Sequence, residues 1–133
     1  VTDKTLHCTI AKADDRLGVL FGWAIVCQEG GHDYIDLQGD RIPEQTMAKA
    51  ALAFAKGTRQ VRFNHSSANV GECVFVMPMT SDVQEALGLQ SPNLRSGLVV
   101  GARVDDETLA KYRSGELTGF SIGGTARKTR RAS

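Results

Sequence analysis

The sequence predicts a single α+β domain, with a mostly antiparallel sheet curled towards a barrel and about three short helices around it. Three observations predict it. Six or more segments carry β-forming residues in loose alternation. Three short segments between them carry helix start and stop signals. The 133 residues hold no repeat and no low-complexity linker, so one modest core is expected to gather all of these elements.

Taken in order, Leu6 to Ala13 and Leu17 to Cys27 read as strands joined by a turn at Asp14-Asp15. Gln28 to Asp40 is punctuated by Gly30-Gly31 and Gly39, and reads as a loop with a short extended piece at Tyr34 to Leu37. Pro43 starts a helix that Gly57 ends, with Met47, Ala50, Ala51 and Phe54 on the face packed against the sheet. Gln60 to Asn64 and Val70 to Met77 are strands. Ser81 with Gln84 forms a capping box that opens a short helix closed by Gly88. Leu98 to Val104 is a strand, Asp105 caps a helix running to Ser114 before Gly115, and Leu117 to Ala126 is the last strand.

Composition narrows the function classes. Hydrophobic residues make up 41% and charged residues 23%, a balance ordinary for a soluble globular protein. Apolar runs such as Val19 to Phe21 fall far short of the roughly 20 residues of a membrane span, and no signal-peptide pattern opens the chain, so a cytosolic setting without a membrane is expected. Cys8, Cys27 and Cys73 form an odd set without CxxC spacing, which predicts free, partly buried thiols rather than a disulfide framework or a zinc site. The net charge of +1 hides an asymmetry, because Arg127, Lys128, Arg130 and Arg131 crowd the last seven residues and leave an acidic body. The division is a domain over 1–126 and a basic tail over 127–133. A nucleic-acid-binding domain would spread basic charge over a folded face, so no specific nucleic acid is expected as a partner.

The strongest chemical signal is Gly119-Phe120-Ser121-Ile122-Gly123, a GxSxG pentapeptide. Its glycines let backbone approach closely, which can open the serine oxygen to substrate and turn N–H groups towards an oxyanion. An α/β-hydrolase needs its acid and histidine after the serine, yet the twelve residues after Ser121 hold neither, so that reading fails. The base must lie upstream, and there are three histidines. His7, in the first strand, reads as a surface or sheet-edge residue, and His32 as a solvated turn residue. His65 follows the β-rich Val61 to Asn64 and precedes the small Ser66, Ser67 and Ala68, the end of a strand beside a cleft. Composition leaves it either the base or a satisfied rim histidine. Asp36 and Asp40 lack the ligand series of a calcium loop and read as a turn, so neither a metal nor another cofactor is expected.

Four motifs in register extend the reading. Phe21-Gly22-Trp23-Ala24, Asp36 to Ile42, Gly101 to Asp106 and Ser114 to Gly124 resemble the caudovirus prohead serine proteases, especially their phage-like-element branch, over about Thr9 to Arg127. Asn64 and Ser66 depart from the Met or Gln and the acidic residue that flank the histidine in relatives. The resemblance implies Ser121 as nucleophile and His65 as base. It also implies a distant likeness to the herpesvirus assemblins, which carry serine and histidine on a β-barrel ringed by helices and couple activity to dimerisation. The implied function is a serine endopeptidase that cleaves phage scaffold and major capsid precursors, and itself, in an assembling procapsid in the bacterial host cytoplasm, with a homodimer as a further association. Gly123 and Gly124, or the segment near Arg127, are the candidate oxyanion-hole donors. Glu72, in the otherwise apolar strand after His65, is the first choice for a third member, with an outward-facing strand residue as its plain alternative. Asp105 is the runner-up, although capping explains it. The competing functions are a catalytically silent capsid-assembly or scaffold-like module on the same fold, and a cytosolic esterase.

Overall fold

The computed structural model describes residues 2–3, 6–36, 39–57, 60–62, 69–122 and 127–128. Its strands are β1 (Thr2–Asp3), β2 (Leu6–Asp14), β3 (Val19–Glu29), β4 (His32–Asp33), β5 (Gln60–Arg62), β6 (Asn69–Met79), β7 (Ser96–Val104), β8 (Gly119–Ile122) and β9 (Arg127–Lys128). Helices α1 (Glu44–Lys56), α2 (Ser81–Ala86) and α3 (Asp106–Arg113) lie between them, with a 3-10 turn at Pro92–Leu94.

The main sheet runs β2-β8-β5-β6-β7-β3-β4, and β2 also pairs with β3, so six strands form a ring with every neighbour antiparallel. The barrel-like α+β fold expected from the sequence is the fold observed. β1 and β9 pair separately as a two-stranded ribbon. Inside the ring lie Cys8, Leu20, Cys27, Cys73, Leu98, Val100, Phe120 and Ile122, all buried. Helix α1 packs on β6, β7 and β3 and adds Met47, Ala51 and Phe54 to that core.

Local physics accounts for each departure from expectation. The extended piece predicted over Tyr34 to Leu37 lies earlier, at β4, and Leu37 lies outside the described residues. Gly30 and Gly31 have φ of 64° and 82°, the pair of positive values a two-residue hairpin needs, so pairing resumes at once with Glu29 opposite His32. His32 is therefore an exposed strand residue rather than part of a turn. Ala50 is exposed, because the buried stripe of α1 is the narrower 47, 51, 54 series. The cap of α2 is Thr80, whose hydroxyl accepts from the Val83 N–H at 3.1 Å. Ser81 is the first helical residue and donates to Glu44, while the Gln84 amide donates to the carbonyls of Met79 and Arg95 instead of closing a capping box. The last main-sheet strand is Gly119–Ile122, shorter than Leu117 to Ala126, and residues 123–126 lie outside the described residues.

Closure leaves no room at Gly22. It sits on β3 between Ile10 of β2 and Val100 of β7, and a Cβ there would lie 2.2 Å from the Thr9 carbonyl oxygen and 2.7 Å from Cys8 Sγ. Gly22→Ala is expected to lower the unfolding free energy by about 1–3 kcal/mol, the usual cost of overpacking a closed interior. Urea unfolding measures this, and an unchanged midpoint would mean that β2 does not approach β3 this closely.

Candidate active site

Strand β8 is four residues long and buried throughout. Phe120 and Ile122 are each 1% exposed and turn into the core with Cys8, so the two-residue period of a strand gives Ser121 the opposite, outward face. Ser121 is nevertheless 3% exposed, and its hydroxyl has no hydrogen-bond partner among the described residues. One other described hydroxyl, that of Ser96, is similarly placed. Ser96 has the Glu44 carboxyl near it: burial pushes that carboxyl up, and the Ser96 hydroxyl with the Ser81 N–H and hydroxyl outweighs the push and holds it below the usual carboxylate range. A buried polar group left without a partner costs about 1–3 kcal/mol, so a fold that keeps one at Ser121 asks for a reason.

Two strands flank the serine. On one side Arg62 of β5 is its register partner, and on the other His7 of β2. Directly opposed residues of an antiparallel pair share a face, with Cβ atoms about 4.5–5.5 Å apart. His7 is exposed, and its imidazole lies over Gly119: a Cβ at Gly119 would stand 2.8 Å from His7 Nε2 and 2.7 Å from the Cys8 carbonyl oxygen. The first glycine of the GxSxG sequence is thus the seat of a histidine ring. His7 is the exposed residue expected, and its register partner is on β8 alone, because the pairing of β2 with β3 begins at Thr9.

His65, Gly123 and Gly124 lie outside the described residues. In the sequence His65 stands three residues after Arg62 and four before Asn69, which face each other across β5 and β6. Glu72 is on β6, exposed, opposite Gln60 of β5 and Arg103 of β7, while the next residue, Cys73, is buried. Alternation therefore turns Glu72 outward, on the same side of the sheet as Ser121, with β5 between the two strands. Asp105 is the N-cap of α3, accepting from the Thr108 N–H at 2.8 Å, and this bond holds its carboxyl below the usual range.

Other nucleophiles are set aside by their surroundings. All three cysteines are buried thiols outside any disulfide. Burial, then the neighbouring Cys73, pushes the Cys8 thiol up to about 12, and burial followed by Glu44 pushes Cys27 up to about 11, so both are protonated at neutral pH. Among the described residues no group of three or more His, Cys, Asp or Glu side chains could hold a metal ion. Asp36 and Asp40 form a turn, with the Asp40 N–H donating to Asp36 Oδ1 at 2.9 Å. No helix among the described residues is long and apolar enough to cross a membrane.

Comparison with known proteins follows the same line. The family described as "Putative phage serine protease XkdF" matches residues 8–130. A Bacillus subtilis (strain 168) protein named "Uncharacterized protein YqbD" is 29% identical over 119 residues, which is 88% of this chain. The chain spans 34% of that relative's length. No solved structure matches.

The capping role of Asp105 is testable by pH. Its folded-state pKa lies below the ordinary 3.8, so the stability it contributes is complete above about that pH and is lost as the pH falls through the folded value. Asp105→Ala is expected to cost about 1 kcal/mol at neutral pH and Asp105→Asn less, with the low-pH part of the slope flattened in both. Denaturant midpoints between pH 2 and 7 read this directly. A stable Asp105→Asn protein that had lost hydrolytic activity would move Asp105 into the active site.

Proposed function

Because the chain belongs to the XkdF family of phage proteins, whose description is that of a serine protease, we propose that it is a serine endopeptidase of prohead maturation, with Ser121 as nucleophile and His65 as base. The observation that carries the reading is the Ser121 hydroxyl, buried without a partner among the described residues and flanked by a strand from which His65 is three residues removed. In this reading Ser121 Oγ attacks the scissile carbonyl carbon while its proton passes to His65. The oxyanion is met by backbone N–H groups of Gly123 and Gly124. Collapse breaks the C–N bond, His65 gives its proton to the departing amine, and water then releases the acyl group by the same steps in reverse roles. Glu72 is the acidic candidate for holding the imidazole, since it shares the outward face of Ser121. The substrates are phage scaffold and major capsid precursors, met inside an assembling procapsid in the host cytoplasm.

A nucleophile that is 3% exposed has to be uncovered before a peptide can reach it. Such a site suits an enzyme that must not destroy scaffold before the shell is built. Association of two copies is the proposed trigger, favoured by mass action in the crowded prohead.

Ser121→Ala is expected to abolish cleavage of a scaffold or capsid precursor while leaving the fold intact, since one small hydroxyl is removed. His65→Ala should be as damaging, and the double variant little worse than either, because members of one catalytic unit are not additive. Glu72→Gln should cost less than these. Cleavage that persists in Ser121→Ala, or losses that multiply in the double variant, would reject the pairing. Specific activity measured over roughly a hundredfold dilution, alongside sedimentation, tests the trigger. Activity should fall with dilution, and a flat profile from a monomer would exclude it.

A further inference from the structure

We infer that the groove between α2 and the 3-10 turn at Pro92–Leu94 is a docking site for a peptide segment that sets a large aliphatic side chain beside basic ones. The inference goes beyond the Ser121 reading and does not depend on it. The groove has a volume of about 230 Å³ and is walled by Leu89 and Leu94, with Gln84, Glu85 and Arg95 among its other lining residues. Small-molecule sites usually run to about 300–1,000 Å³, so this one suits a side chain better than a cofactor.

The walls are built to stay in place. Leu89 and Leu94 are 51% and 52% exposed, so neither serves the core. Leu94 is nonetheless held in an unfavourable backbone conformation: φ is 56° at Asn93 and 52° at Leu94, the left-handed region that residues with side chains rarely adopt. The turn is fastened around them. The Gly30 N–H donates to the Asn93 carbonyl at 2.7 Å, and the Ser91 N–H donates to the Gln84 side-chain oxygen at 3.0 Å. Gln84 is buried, and its amide nitrogen donates to the carbonyls of Met79 and Arg95 at 3.1 and 2.9 Å. One side chain thus ties α2, the end of β6 and the turn together, and a preformed groove binds without the cost of ordering itself.

Charge chooses the occupant. Arg95 is the basic residue of the lining, but its guanidinium is already matched: it pairs with Glu29 and lies over the Trp23 ring, 5.6 Å from its centroid. Glu85 lines the groove, and Asp82 stands three residues before it, on the same side of α2. Both are exposed, and neither has an ion-pair partner among the described residues. The groove therefore offers two leucines beside an unmatched negative edge, which attracts a segment carrying lysine or arginine and repels an acidic one. Seven residues line it, against the roughly 20–30 a side of a stable protein–protein interface, so a short segment fits better than the face of a second copy.

The test selects a displayed library of random heptapeptides against the folded 133-residue chain and measures the best binder, fluorescein-labelled, by anisotropy. Selected peptides should share a Lys or Arg next to Leu, Ile, Met or Phe, and binding should weaken as salt rises. Leu89→Ser and Leu94→Ser should each weaken binding by roughly tenfold while keeping the wild-type urea midpoint, because both side chains are exposed. Glu85→Lys should lose the selected peptide and prefer its counterpart with Glu in place of the basic residue, a reversal that a merely structural effect would not produce; it decides the case should a leucine variant unfold. No binder from the selection, selected peptides without a basic residue, or an affinity unchanged in all three variants would overturn the inference. A wild-type chain that self-associates in sedimentation while Leu94→Ser is monomeric would overturn it in favour of a second copy.

Discussion

Strand β2 has two different neighbours along its length, and the remainder of the structure depends on that division. Thr9 to Asp14 pairs with β3, while Leu6 to Thr9 pairs with β8. Thr9 is shared, opposite Trp23 on one edge and Gly119 on the other. The first pairing closes the ring and demands the bare backbone of Gly22; the second pins the four-residue β8 between β2 and β5. A strand that short has little stability of its own. Held on both sides, it keeps a serine hydroxyl at a fixed height on the outer wall, between the chain segments that bring His7 and Arg62 to its level.

The core is ordinary and serves this arrangement. Phe120 and Ile122 anchor β8 by turning inward onto Cys8 and its neighbours, so the residue between them has to face out. The same burial that anchors the strand silences the thiols: Cys8 and Cys27 are raised far above neutral pH by desolvation and cannot compete as nucleophiles. Charge plays a smaller part. Arg113 pairs with Asp15 at 2.7 Å, tying the end of α3 to the β2–β3 turn, but both groups are more than half exposed and such pairs contribute little.

What the sequence made legible were the features written locally. Alternation located β2, β3, β6 and β7 within two or three residues, and the Pro43–Gly57 and Asp105–Gly115 signals bounded α1 and α3. Where two signals overlapped, the nearer competitor won: Thr80 precedes Ser81 and takes the cap, and Gly30-Gly31 turns the chain so that the strand starts at His32 rather than at Tyr34. The serine was legible because glycines mark it. His7 was not, since its place depends on the first strand lying beside the last, a pairing over more than a hundred residues that no local pattern encodes. Glu72 was read as anomalous in an apolar strand, whereas alternation with buried Cys73 accounts for its outward position without excluding a role there.

Catalysis at Ser121 requires that this buried hydroxyl, without a hydrogen-bond partner among the described residues, be reactive. The direct measurement is the position of a fluorophosphonate adduct in the intact protein, located by peptide mass mapping after reaction at the protein concentration of highest activity. The adduct is predicted on the peptide containing Ser121, one per chain, and absent when the protein is unfolded before reaction. An adduct spread over exposed serines such as Ser81 and Ser114, or none on the folded protein, would contradict it.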